Sequence, residues 1–596
     1  MNLKARRVRQ IKWISYHSPS RKELDNMKKE IIGIMLGTFF LYFFSSPPFA
    51  LAAKYYVGKN GSDKNPGTES RPWLTIQKAA DTLQPGDTVL IRKGVYPEKV
   101  RPARSGTNGL FITYQNYGSE EVIIDAQNGA RNAAVQVDGK RYLKFTGLKL
   151  IGASGSSGLR AGFYAMDQSD HLILENITAS QSRFGILLFG RSSPVSQIII
   201  RNCTVSGNTG HGIFLYRRVY NTAVGPGNRI FSNVGEEYAF GIEIGTDFPG
   251  NKADGARKIE VRDNEVWFNG GQGVRTWNAK DILIKGNFIH NNGASGIQIE
   301  DGSENVIVED NRCEYNAKVY EYETGIWIDS TKNAVVRGNI IRGTKIGLMV
   351  TDSSRVIVRN NVIAENNRGV PNLANAMGLN VDQNASAVVI VHNTLHRNGA
   401  SESQRGGITI GAYRPPVTRV VLKNNILSET LAPYDLWIRS GDLVSDYNLF
   451  YNSRPLNIYW HPRRTTWSGY TETSGQDMHT ITGHLPQFTS PGNFNFRLSP
   501  GSPGIDAGGL LTQATSSGSG RVIQVLDASY FTNGFAIARG DRIRVGSNNP
   551  VEVEDVDYEK KILTIDKNIS WNMGDGISYP FSGRRPDIGA FEYVRK

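Results

Sequence analysis

From about residue 140 to 450 the chain repeats one pattern: a short aliphatic run, an Asn, then a Gly-led second run. Ile282-Leu283-Ile284 precedes Asn287, and Val356-Ile357-Val358 precedes Asn361. The Asn positions are 176, 202, 228, 264, 287, 311, 339, 361, 393, 425 and 448, spaced 22–36 residues apart. Repeats of this length are stacked units that cannot bury an apolar face alone. Asn suits such a stack, because its amide can hydrogen-bond to the copy above and it tolerates a tight left-handed corner. The pattern predicts an all-β fold, a right-handed parallel β-helix solenoid.

Other segments depart from that period. In residues 54–109, Thr75 to Leu83 places Ile76, Ala79, Ala80 and Leu83 on one helical face, suited to covering the open end of a solenoid. The parallel β-helix is expected over 110–509. Alternating strands at Val522–Val525, Arg542–Val545 and Ile562–Ile565 predict a small β module over 510–582. It would be inserted in a closing element made by 495–508 and the terminal segment 583–596. Such a module could bind carbohydrate or serve only as a stabilising insert.

Residues 1–53 read as a signal peptide and N-terminal extension. Lys28-Lys29 precede the apolar run Ile31–Phe44, then Ser45-Ser46-Pro47-Pro48 and the small-x-small site Ala50-Leu51-Ala52. Translation from Met27 would give a signal of ordinary length. The expected destination is outside the cell, at the surface or in the periplasm, with no stable membrane insertion after cleavage. Nine Lys/Arg and three Asp/Glu fall in residues 1–30, so +7 of the formal +13 charge belongs to the exported part. That charge is compatible with an anionic polymer.

Hydrophobic residues make up 39% and Gly 64 of the 596 residues, which suits thin rungs with many turns. Cys203 and Cys313 fall four rungs apart, roughly 19 Å at strand spacing, too far to bridge. His392 and His396 lie on a strand and its turn, a poor zinc pair.

In each Gly-led run, alternation sends the aliphatic residues inward and the intervening pair outward. Outward pairs include Phe214 and Tyr216, Glu243 and Gly245, Arg275 and Trp277, Gln298 and Glu300, Trp327 and Asp329, Met349 and Thr351, and Asn380 and Asp382. Carboxylates, aromatics and one Arg concentrate between Glu243 and Asp329. Tyr216, Trp277 and Trp327 would be platforms for sugar rings, with Gln298, Asp382 and His211 as further substrate contacts. Asp247, Asp301, Tyr320 and Tyr322 flank them. Nucleic acid is a poor partner, because Lys and Arg do not line this face. A polysaccharide is the expected ligand and a monomer the expected state.

The run from Tyr55 through Trp73 and Gly86-Asp87-Thr88-Val89-Leu90-Ile91 to Val100 resembles the N-terminal cap of secreted right-handed parallel β-helix proteins of the pectate lyase-like superfamily. That superfamily holds polysaccharide lyases and related glycosidases. The resemblance implies a lyase that cleaves an acidic, uronic acid-containing glycan by β-elimination, with Ca²⁺ as a cofactor. Arg275 would be base or carboxylate partner, and Glu243, Glu300 and Asp329 would do acid/base work. Glu243, Asp247 and Glu300 would be the tentative calcium ligands. Lys252 follows Glu243 only further along its loop, unlike the Lys of the chondroitin and alginate lyase group.

Two alternatives stay open. A glycoside hydrolase could pair Glu300 with Asp329, about 5 Å apart, or Asp329 with Asp382, roughly 9–10 Å apart. A non-catalytic polysaccharide-binding rod would use the aromatics alone.

Overall fold

The computed structural model describes residues 52–235, 239–245, 255–317, 324–367, 375–411, 416–439 and 442–594. The 1–53 signal reading, Asp247, Lys252, Tyr320 and Tyr322 therefore lie, wholly or nearly so, outside the described residues. From Lys54 onward the chain forms one compact unit. Among the described residues, no helix is long and apolar enough to cross a membrane.

Each middle rung has three parallel strands, one more than the sequence pattern suggests. The aliphatic strand (Lys280–Lys285) is followed by a three-residue strand (Phe288–His290) and then the Gly-led strand (Ile297–Glu300). Each pairs in register with its counterpart one rung on: Ile282 with Val306, Ile289 with Cys313, Ile297 with Ile326. Inward aliphatics such as Ile282, Val306, Ile326 and Val356 are 0% exposed and form one continuous core.

The Asn repeat is a buried hydrogen-bonded ladder. Asn228 donates to Asn264 at 2.9 Å, Asn264 to Asn287 at 2.9 Å, Asn287 to Asn311 at 2.9 Å and Asn311 to Asn339 at 3.1 Å. The chain continues through Asn361, Asn393 and Asn425 to Asn448. There Asn448 donates to Asp477 at 3.0 Å, and Tyr470 donates to the other oxygen of Asp477 at 2.9 Å. Asn176 and Asn202 are not ladder members. They sit at the preceding corner with φ of 54° and 53°, and Cys203 takes the ladder place. The left-handed corner and the ladder are thus separate positions. Asp263, Gly286, Asp310 and Gly338 turn the chain just before ladder residues whose own φ is ordinary.

The sequence carries a second ladder, five residues on, which the first pattern hides. Asn208, Asn233, Asn269, Asn292 and Asn316 link side chain to side chain at 2.8–3.0 Å. Cys203 and Cys313 are separate buried thiols, and burial pushes Cys203 up to about 12.

Both ends of the solenoid are covered. The N-terminal helix, Ile76–Thr82, is capped by Thr75, whose hydroxyl accepts from the Lys78 N–H, and it buries Ile76, Ala79 and Ala80. At the far end a hairpin, Asn457–Trp460 with Arg463–Thr466, leads into a helix, Trp467–Ser474, that buries Tyr470.

Six antiparallel strands between Thr512 and Ser578 form the C-terminal module. It docks on the side of the solenoid. The middle residues of successive aliphatic strands, Ile307, Val335, Ile357 and Val389, point outward and pack under Phe531, Ile543, Val553 and Ile565. Asp541, fully buried, pairs with Arg337 at 3.1 Å and Arg359 at 2.5 Å across that junction. The flanking segments meet where Gly508 donates to Pro586 and Ile588 to Gly504.

Candidate active site

Stacking places the outward residues of the Gly-led strands in two columns. One runs Phe214, Glu243, Arg275, Gln298, Trp327, Met349, Asn380, and the other Tyr216, Gly245, Trp277, Glu300. Asp329, Thr351 and Asp382 continue the second column. Glycine leads these strands because rungs meet closely there: a Cβ on Gly273 would stand 2.4 Å from Ile289 Cγ2.

The columns bring Glu243, Arg275 and Glu300 into one buried row. Arg275 Nη1 lies 3.4 Å from Glu243, and Arg275 Nε donates to Glu300 Oε1. The guanidinium carbon sits 4.2 Å over the Trp277 ring and 4.9 Å over Phe240. Gln298 donates to the other oxygen of Glu300 at 2.7 Å, and Gln272 donates to Gln298 at 2.6 Å. Burial raises Glu300 above the ordinary carboxyl range against the opposing pull of Arg275.

His211 sits at the other end of the row. Its Nε2 is 2.9 Å from Glu243 Oε2, while its Nδ1 accepts the Phe240 N–H at 3.1 Å. Its ring stacks between Phe184 and Phe240, at 5.3 and 4.8 Å. His211, expected to touch substrate, is paired with Glu243 in this structure.

Asp329 stands outside this row. It accepts from Thr351 at 2.5 Å and Ser330 at 3.4 Å, and Thr351 in turn accepts the Trp327 indole N–H at 2.8 Å. Burial raises Asp329 as well. Trp327, Met349, Asn380 and Asp382 line a cavity of about 420 Å³ beside it, large enough for a sugar ring.

Two expected substrate contacts have partners within the protein. Tyr216 is no open platform: its ring stacks on Phe189 at 5.0 Å and Phe214 at 4.8 Å and is only 8% exposed. Gln298 is held between Gln272 and Glu300. Sequence reasoning missed Gln272, Phe240 and Thr351. The first two lie just before a Gly-led strand, and the third looks like any outward Thr. His392 and His396 face the Asp587 carbonyl and Ser428, and burial pulls both down to about 4.

The described donors do not fit a calcium site. Glu243 and Glu300 both turn onto Arg275, and among the described residues no three His, Cys, Asp or Glu side chains gather to hold a metal ion.

Comparison with known families agrees with this architecture. The family described as "Pel9A-like, right handed beta helix region" matches residues 55–264, and "Right handed beta helix region" matches 245–385 and 324–446. Residues 55–446 thus carry right-handed β-helix family matches, and the chain is similar to the pectate lyase-like parallel β-helix proteins. The uncharacterized protein YwoF of Bacillus subtilis is 23% identical over 75% of this chain and 91% of its own length. Pectate lyase PEL9 of Emericella nidulans is 25% identical over 40% of this chain, which spans 62% of that relative. The crystal structure of pectate lyase Pel9A is 13% identical, with coverage of 92% of this chain and 98% of that one and a TM-score of 0.33.

Proposed function

We propose that this chain is an exported enzyme that cleaves an acidic polysaccharide by β-elimination. The observation that carries this reading is the row Glu243–Arg275–Glu300, a cation held between two carboxylates on the outward face of a carbohydrate-active fold. Elimination from a 4-linked uronate needs a cation for the sugar carboxylate, an acceptor for the adjacent proton and a donor to the departing oxygen. Arg275 is the cation. Glu243, which accepts from His211 and Arg275, takes the proton from C5; the C5 electron pair forms the new double bond as the C4–O bond breaks. Glu300, whose protonated form burial favours, gives its proton to the leaving oxygen. Trp277 and Trp327 are the ring contacts, and Asp382 lines the cavity beyond.

A hydrolase is the second reading. It is favoured by one observation: burial raises both Glu300 and Asp329, one rung apart in the same column. That spacing, about 5 Å, is the retaining separation.

The test is Arg275→Ala in a protein shown to be folded, assayed for unsaturated uronate products. Loss of product supports the elimination reading, and full activity refutes it.

A further inference from the structure

A cleft of about 860 Å³ lies at the junction of the solenoid and the C-terminal module, on the aliphatic strands rather than the Gly-led ones that carry the row. From the solenoid it is lined by Arg355, Arg419 and Lys423, and from the module by Tyr530, Tyr558 and Lys561. Arg355 and Arg419 occupy equivalent corners two rungs apart, with Ala387 between them, a separation on the order of 10 Å. The small Ala387 leaves the space between the two guanidinium groups open.

Three features point to a ligand. First, among the described residues the charged ends of Arg355, Arg419, Lys423 and Lys561 form no ion pair, and these four cations outnumber the two carboxylates, Asp527 and Glu559, that line the same cleft. Elsewhere Arg337, Arg342 and Arg359 each reach an acid. Second, the corner column is Asp281, Asn305 and Asn333 in the preceding rungs, at φ of 58–59°, and Asn333 donates to Asn305, which donates to Asp281. Asp and Asn tolerate this left-handed conformation. At the cleft this hydrogen-bonded run ends and the corner presents Arg355 at 56° and Arg419 at 52°, as it presents Tyr142, His171, Gln197 and Lys258 in earlier rungs. Third, the cleft offers aromatic surface beside the charges. Arg355 lies 5.4 Å over the Tyr558 ring, and Tyr530 and Phe535 line the same wall.

We infer that this cleft is a second polysaccharide site, which holds a carboxylate-bearing stretch of glycan through Arg355 and Arg419 while the Gly-led face cleaves another. The acidic character of the ligand rests on the proposed function; the cleft does not. Carboxylates would meet the guanidinium groups, and a sugar ring would lie beside Tyr558 and Phe535. Lys423 is fixed by its bond to the Leu510 carbonyl at 2.7 Å, and burial lowers it, so it adds a short-range donor.

The experiment is affinity electrophoresis of the exported chain in native gels cast with polygalacturonate, alginate or neutral xylan. Wild type and an Arg355→Ala/Arg419→Ala double variant are compared. Both side chains are exposed, so the variant is expected to melt within a few degrees of wild type. Retardation by at least one anionic glycan, reduced about tenfold in the variant and unaffected by xylan, is the expected result. Cleavage of short oligosaccharides, which cannot span both faces, stays unchanged. Equal retardation of variant and wild type by the anionic gels would overturn the inference. So would a wild type that no anionic gel retards, or equal retardation by xylan. Retention that depends on Arg355 and Arg419, in a protein that cleaves nothing, would defeat the catalytic reading and leave the cleft standing.

Discussion

His211 presents Nε2 to Glu243 at 2.9 Å because the Phe240 N–H already occupies Nδ1. The tautomer is set by a backbone group, so the imidazole is a fixed donor and Glu243 a fixed acceptor. His211→Phe keeps the stack between Phe184 and Phe240 and removes the donor. The expected effect is a fall in kcat of about 100-fold through a misplaced Glu243, with KM nearly unchanged and a normal circular dichroism spectrum.

The acid form of Glu300 sets the alkaline side of the pH profile. Burial raises its pKa, so activity should fall as pH rises through that raised value. Glu300→Gln should remove this limb together with most activity. The shift also bears on stability. A carboxyl whose folded pKa is raised contributes stability fully below its unfolded value, and loses it as pH rises through the folded value. Denaturant midpoints should therefore depend less on pH in Glu300→Gln than in wild type.

A clearer pH signature comes from the closing element. Burial, with Asp587 nearby, pushes Glu592 up to about 7, and its Oε2 is buried without a partner. Its stabilising contribution should be complete below about pH 4.3 and lost as pH rises through about 7. Glu592→Gln should raise stability at pH 8 by about 2 kcal/mol relative to wild type and leave it little changed at pH 4. Urea unfolding at the two pH values measures this.

The ladder can be tested against its own exception. Asn339 donates to Asn361 at 2.9 Å and to the Val308 carbonyl at 2.9 Å, and accepts from Asn311 at 3.1 Å. Asn339→Ala leaves several buried groups unpaired and should cost about 3 kcal/mol. Asn176→Ala alters only an exposed left-handed corner and should cost about 1 kcal/mol. Equal losses for the two would show that no ladder stabilises the stack.

The solenoid was legible because its aliphatic period, the Asn repeat and the Gly-led strands all point to the same architecture. The outward columns were legible too, since alternation alone placed Glu243, Arg275, Gln298 and Glu300 on one face. Which outward residues touch each other was not. Arg275 chooses Glu243 and Glu300 through side-chain reach, and Gln298 is drawn in by Glu300 and Gln272. That Phe189 and Phe214 cover Tyr216 was not legible either, a consequence of three aromatics meeting in adjacent rungs. The docking face of the module was visible in hindsight. Ile307, Val335, Ile357 and Val389 break the inward–outward alternation, and an aliphatic that points outward in four successive rungs requires a cover. Glu592 gave no sequence signal, since its burial, the main cause of its raised pKa, depends on the closing element's packing.

The central claim is that the row Glu243–Arg275–Glu300 cleaves an acidic glycan by elimination. The most direct measurement incubates the exported chain with polygalacturonate, alginate and chondroitin-type glycans, following the ultraviolet absorbance of unsaturated uronates and new reducing ends together. The account predicts that both signals rise in step on one of these substrates and that both vanish in Arg275→Ala. Reducing ends without absorbance, lost in Asp329→Asn, would contradict it and make the chain a hydrolase.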